Sequence, residues 1–151
     1  MFLFIVAAFV IVLDQATKVF IRYLMPVNSS YPLVPGIIHV THVRNSGAAF
    51  GLLPNQKIIF LVVSIVVIAV IVYYYLRAKV EDRQQMLALG LLLGGAVGNV
   101  IDRIFLGEVT DFIDLRIWPV FNLADSSIVV GAIMLSIIFL INARKESSQV
   151  G

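Results

Sequence analysis

The chain has 151 residues, of which 60% are hydrophobic and only 13% charged, with a mean hydropathy of +1.00. Soluble domains carry about 25% charged residues, so this composition describes a membrane protein, and the length suits one domain covering 1–151. A net charge of +2 is too small and too scattered for a nucleic-acid binder, and the lack of cysteine excludes disulfides, thiolate catalysis and Cys-ligated zinc or iron–sulfur.

The first apolar run covers 2–24. It opens MFLFIVAAFVIVL, with no basic residue ahead of it and no small-residue cleavage site after it. It therefore reads as a retained transmembrane helix rather than a cleaved signal. Asp14 and Lys18 interrupt it and, four residues apart, share one helix face. In lipid such a pair is expected to turn inward. It serves either as a buried ion pair that fixes helix register or as part of the chemistry.

The stretch 25–56 is the longest without a helical pattern, and it contains Pro26, Pro32, Pro35 and Gly36. Within it IIHVTHV reads as a strand from its β-branched content. His39 and His42 lie three apart on that strand and should face opposite ways. Both read as surface or interface residues, and two histidines are too few for a catalytic zinc site without carboxylates joining in. RNSGAAFGLL follows, a turn-like Asn-Ser-Gly leading into a short apolar piece. That piece cannot span a bilayer and is expected to lie on it as a short interfacial helix. The Asn45 amide can both donate and accept, which suits holding a peptide backbone. An Asn before Gly47 is equally an ordinary turn former.

The second and third spans cover 57–76 and 85–105, each near the 20 or so residues a bilayer requires. Between them lie Arg77, Lys79 and Arg83, and the carboxyl-terminal tail holds Arg144 and Lys145. These basic residues belong on the cytoplasmic side, which puts both termini inside. The third span closes on GGAVGNVIDR. Gly94, Gly95, Ala96 and Gly98 let helices approach closely. Asn99 and Asp102 share a face, while the adjacent Arg103 points elsewhere and is placed to reach a substrate carbonyl or anion.

The second outer loop, 107–122, contains GEVTDFIDL, a candidate strand, and Trp118 and Pro119 at a position that suits an interfacial aromatic. The fourth span covers 123–142. Asp111 and Asp125 flank the segment that leads into it, and Asn122 stands three residues before Asp125, where it can orient that carboxyl. An acid in a helix's first turn is also what the helix dipole favours. The dipole does not explain why Asp102, Asp111 and Asn122 gather at the same rim. Two carboxyls in contact cannot both ionise easily, so one keeps a proton. The ionised one can deprotonate water and the protonated one can donate to the carbonyl under attack, which is hydrolysis without a cofactor. Asp114 competes with Asp111. On an extended strand i and i+3 face opposite sides, so only one of them can aim at Asp125, and spacing alone does not decide which. A different class of reading is a small four-helix transporter or proton channel with Asp14–Lys18 and Asp102–Arg103 as its relay.

DQATK at 14–18, RNSGAAFG at 44–51, GNVIDR at 98–103, VTDFID at 109–114 and FNLADSS at 121–127 together resemble lipoprotein signal peptidase, or signal peptidase II. Five separated motifs in the same order cover most of the chain. The resemblance implies a bacterial inner-membrane aspartic endopeptidase that cleaves prolipoproteins before the diacylglyceryl-modified cysteine. Its catalytic dyad falls on Asp111 and Asp125. The supporting positions fall on Asp14, Lys18, Asn45, Gly47, Asn99, Asp102, Arg103, Asn122 and Ala124. It further implies four transmembrane helices, a small extracytoplasmic β-sheet that cradles the substrate, a short interfacial helix at GAAFGLL, and inhibition by globomycin at the dyad. The expected partners are the lipid-modified substrate and membrane lipids, with no metal, no cofactor and a monomeric enzyme.

Overall fold

The computed structural model describes residues 1–47, 57–78, 80 and 82–150. Four helices are long and apolar enough to cross a membrane: α1 (Phe2–Leu24), α2 (Lys57–Arg77), α3 (Arg83–Phe105) and α4, which spans over Leu123–Lys145 and continues to Val150. Three strands, β1 (Ser30–Val34), β2 (Ile38–Asn45) and β3 (Val109–Asp114), form one antiparallel sheet in the order β1-β2-β3. β1 and β2 follow α1, and β3 follows α3, so the sheet sits where α1 and α3 end and α4 begins. The start of α1, the Arg77 end of α2 and the Arg83 start of α3 lie at the opposite end. There the amino terminus donates to the Tyr75 hydroxyl at 2.9 Å.

Local chemistry sets the boundaries. α1 stops at Leu24 because Met25 precedes Pro26 and takes an extended conformation, φ −122° and ψ 124°. α3 starts at an N-cap, with the Asp82 carboxylate accepting from the backbone N–H groups of Gln84 and Gln85. β1 was not foreseen from the sequence, since Pro32 weakens any strand pattern. As the sheet's edge strand it tolerates a proline. Pro35 and Gly36 turn it back into β2, with Gly36 at φ +76° and Ile37 N–H donating to the Val34 carbonyl at 3.0 Å. That is a type II turn with proline and glycine in their preferred places. The surface helix expected at GAAFGLL lies, apart from Gly47, outside the described residues.

α3 is the centre of the bundle and carries the largest share of buried positions. Its glycines admit the neighbouring helices. A side chain at Gly94 would stand 2.8 Å from the Ala7 carbonyl of α1, and one at Gly95 would run into the Ala124 carbonyl of α4. Such close approach is how helices associate where lipid is as apolar as the side chains. Leu3, Ala7, Ile71, Leu89 and Leu93 form the core at the end remote from the sheet. α2 fully buries only Ile71, packs Ile68, Val72, Tyr74 and Tyr75 partly buried against that core, and leaves Ile58, Val62, Val66 and Val70 exposed.

Candidate active site

The polar residues of α1 and α3 meet just below the sheet. Lys18 is fully buried, as is Asp14, and the two pair at 2.9 Å. Lys18 also lies 3.4 Å from Asp102 and donates to Asn99 Oδ1 at 2.9 Å. Asp14 spends its other oxygen on the Ala124 backbone N–H, at 3.0 Å. It thereby satisfies one of the free N–H groups of α4's first turn from a different helix. Gly98 leaves room for this contact, because a side chain there would come within 2.7 Å of Asp14 Oδ2. Asp102 accepts the Thr110 backbone N–H at 3.0 Å and so fixes the start of β3 to α3.

Asn122 and Asp125 form a reciprocal capping box at the start of α4. Asn122 Oδ1 accepts the Asp125 N–H at 2.9 Å, and Asp125 Oδ2 accepts the Asn122 N–H at 3.2 Å. The Asn122 amide nitrogen then donates to Asp111 Oδ1 at 2.6 Å and to Asn99 Oδ1 at 3.2 Å. Asn99 donates in turn to Asp125 Oδ1 at 2.8 Å. The second Asp111 oxygen accepts from Asn45 at 2.8 Å. Asn45 pairs with Val109 across the sheet, so Asp111 is its diagonal neighbour on the same face. Gly47 N–H donates to Asn45 Oδ1 at 3.0 Å and aims the amide nitrogen at Asp111.

Asp111 and Asp125 therefore border one cleft of about 260 Å³, with Asn45, Gly47, Asn99, Arg103 and Trp118 among its walls. Arg103 lines this cleft, with its guanidinium 5.8 Å from the Phe60 ring centre. Burial, and the Asp125 carboxyl nearby, push Asp111 up to about 7 against the pull of hydrogen bonds from Asn45 and Asn122. Asp114 lies on the opposite face of β3, bonded to Thr41 at 2.7 Å and to Arg116 at 3.0 Å. Burial alone would raise its carboxyl, but the hydrogen bonds from Thr41 and Arg116 outweigh it and hold the group below the usual range. The two aspartates left open by spacing are thus separated by environment. One is neutral-prone and in the cleft, and the other is ionised and outside it.

The charges in this cluster are nearly balanced. Asp14, Asp102, Asp111 and Asp125 face Lys18, Arg22 and Arg103. Four carboxyls against three cations leave one proton to be retained for neutrality, and a buried cluster far from neutrality is costly.

Asp14, Lys18, Asn45, Gly47, Asn99, Asp102, Arg103, Asp111, Asn122, Ala124 and Asp125 all lie in this network or on its cleft, whereas Asp114 does not. Two contributors were missed. Gln15 donates to Asp14 at 3.1 Å, to the Gly98 carbonyl at 3.0 Å and to Asp102 at 3.2 Å. Arg22 donates to Thr110 at 3.0 Å, and its place four residues after Lys18 was the available signal. His42 is a correction. It is buried, not superficial, and donates through Nδ1 to the Met25 carbonyl at 2.8 Å. A bulge between Val40 and Val43 breaks the simple alternation on which the surface reading relied. A relay needs charges strung through the bilayer, whereas the buried ones here collect at the sheet end.

Residues 6–141 match the protein family described as signal peptidase (SPase) II. A protein of Pelotomaculum thermopropionicum named lipoprotein signal peptidase is 46% identical over 151 residues, covering 99% of this chain and 98% of its own length. One of the same name from Halothermothrix orenii is 46% identical over 132 residues, covering 87% and 90%. A bacterial membrane enzyme solved by the in meso method superposes with a TM-score of 0.87 at 36% identity, over 92% of this chain and 87% of that one.

Proposed function

Because this chain belongs to the signal peptidase II family, we propose that it removes signal peptides from prolipoproteins with Asp111 and Asp125 as its catalytic pair. The observation that carries the assignment is Asn122, which bonds Asp111 through its side chain and Asp125 through its backbone. One residue thus sets the position of both carboxyls relative to each other.

The chemistry follows from their unequal environments. Asp111, raised to about 7, keeps the proton, and Asp125 is assigned the role of base. Water attacks the scissile carbonyl carbon while Asp125 accepts its proton and Asp111 donates to the carbonyl oxygen, giving a neutral gem-diol. Asp125 then passes its proton to the amide nitrogen, and a gem-diol proton returns to Asp111 as the C–N bond breaks. A new carboxylic acid and a new amine result, and the dyad is regenerated. Arg103, on the cleft wall, is assigned to holding a substrate carbonyl. No metal is invoked.

The cut site of a lipid-anchored substrate lies at the membrane–water boundary, and we assign the sheet end of the bundle to that depth. The basic 77–83 turn and tail assign the other end to the cytoplasm, so the site faces outward with both termini inside. We take the substrate to carry diacylglyceryl-cysteine after the scissile bond, and the enzyme to work as a monomer. The test is cleavage of purified lipid-modified prolipoprotein in detergent or liposomes. Release of the signal peptide by the wild type, and none by Asp111→Asn or Asp125→Asn, is expected. Wild-type rates in both variants would overturn the assignment.

A further inference from the structure

Arg22 stands at the end of α1, outside the cleft, and no step of the proposed reaction uses it. A basic residue in a last helical turn is ordinarily explained by the helix dipole or by a reach toward the membrane surface. Here the guanidinium turns inward. Its Nη1 donates to Thr110 Oγ1 at 3.0 Å and lies 3.6 Å from Asp102 Oδ1, with the side chain only 26% exposed.

Thr110 is the residue immediately before Asp111, and it is itself buried. It is held at two points, its backbone N–H by Asp102 Oδ2 at 3.0 Å and its hydroxyl by Arg22. Asp102 is in turn held by Lys18 and Gln15. On its other side β3 is secured by the ladder to β2, and there the register slips just beyond Asp111, between Val40 and Val43. A ladder that is irregular at this point fixes Asp111 less firmly than an unbroken one. The contact from α1 supplies a constraint that β2 does not.

We propose that Arg22 is a positioning residue for the peptidase reaction: through the Thr110 hydroxyl it fixes the start of β3 and so the aim of the Asp111 carboxyl at the scissile carbonyl. This rests on the peptidase reading above. It makes no demand on substrate binding, because neither Arg22 nor Thr110 borders the cleft. The effect is therefore expected in kcat and not in KM. Misplacement of a catalytic group by about 1 Å can cost on the order of 100-fold.

The experiment compares Arg22→Gln, Thr110→Val, Thr110→Ser and the double variant Arg22→Gln/Thr110→Val. Steady-state cleavage is normalised to folded enzyme, with thermal unfolding measured alongside. Expected is a loss of roughly 10- to 100-fold in kcat for Arg22→Gln and for Thr110→Val, with KM within about twofold of wild type. Thr110→Ser, which keeps the hydroxyl, is expected near wild type. The double variant should be no worse than the poorer single, since both remove one contact. Losses that multiply, a change confined to KM, or a lowered melting temperature with kcat per folded molecule unchanged would each overturn the proposal. If Arg22→Gln fails to fold, the Val and Ser variants at 110 leave every charge in place and still decide it. A wild type that cleaves no prolipoprotein would sink the peptidase reading, whereas an active wild type with unaffected variants sinks only this one.

Discussion

The side-chain nitrogen of Asn122 donates to Asp111 at 2.6 Å while its backbone N–H donates to Asp125 at 3.2 Å. A residue that would ordinarily do no more than cap a helix here sets the geometry between two acids.

That geometry predicts the effect of altering either acid. Asp111→Asn and Asp125→Asn should each lower prolipoprotein cleavage by at least the roughly 100- to 10,000-fold that general acid–base groups supply. Asn122→Ala should lower it as well, without touching either carboxyl directly. Cleavage should persist in excess EDTA. Activity lost to chelator and restored by a divalent ion would remove the cofactor-free mechanism.

The raised Asp111 gives the pH dependence a sign. Asp111, the acid that in the proposed reaction donates to the carbonyl oxygen, keeps its proton up to about 7. The rate should therefore fall as pH rises through that region. Stability follows the same direction. The folded chain holds the proton to about 7 and an unfolded carboxyl releases it near 3.8, so the contribution is complete below about 4 and fades as pH climbs toward 7. Cleavage and thermal unfolding between pH 5.5 and 9 test both. A rate that instead rises across pH 7 would make Asp111 the base.

Lys18 compensates two buried carboxylates and orients Asn99. Lys18→Ala leaves Asp14 and Asp102 without their shared cation, and breaking a buried pair in this way costs about 3–5 kcal/mol. Thermal unfolding in detergent should show a drop of that order, with the pairing of Asn99 to Asp125 lost in whatever protein still folds. A variant with wild-type stability and no activity would move Lys18 from the scaffold into the chemistry.

Gly95 is the point where α4 leans on α3. A methyl group there meets the Ala124 carbonyl, and Ile128 at 2.8 Å. Gly95→Ala should therefore push away the start of α4, which carries Asp125. Overpacking of this kind costs about 1–3 kcal/mol, and cleavage should fall further than stability alone accounts for. Unchanged melting and rate together would mean the helices can part without cost.

Much of this was legible in the sequence, for identifiable reasons. Four apolar runs must be helices because lipid offers the backbone no other partners. Asp14 and Lys18 had to pair because they share a face and neither tolerates hydrocarbon alone. Asn122 and Asp125 were separated by the three residues a capping box requires. What could not be read was set by contacts distant in the chain. β1 is a strand because β2 accepts it as an edge, not because SYPLV prefers one. His42 is buried because of a bulge that exists only once β2 and β3 have paired. Asp111 and Asp114 were separable only by what surrounds each in three dimensions. Arg22 went unread in the sequence because its partner Thr110 lies 88 residues away.

Synthesis is vectorial, and α1 leaves the ribosome well before α3. Lys18 and the Asn99 it will bond are 81 residues apart. In that interval the nascent segment has no neighbour to neutralise it. The 2.9 Å contact between Asp14 and Lys18, one turn apart on a single helix, offsets the two charges inside the segment, and Arg22 stands in its last turn. The pair that anchors the finished cluster thus also lowers the cost of carrying two charged side chains into lipid on one helix.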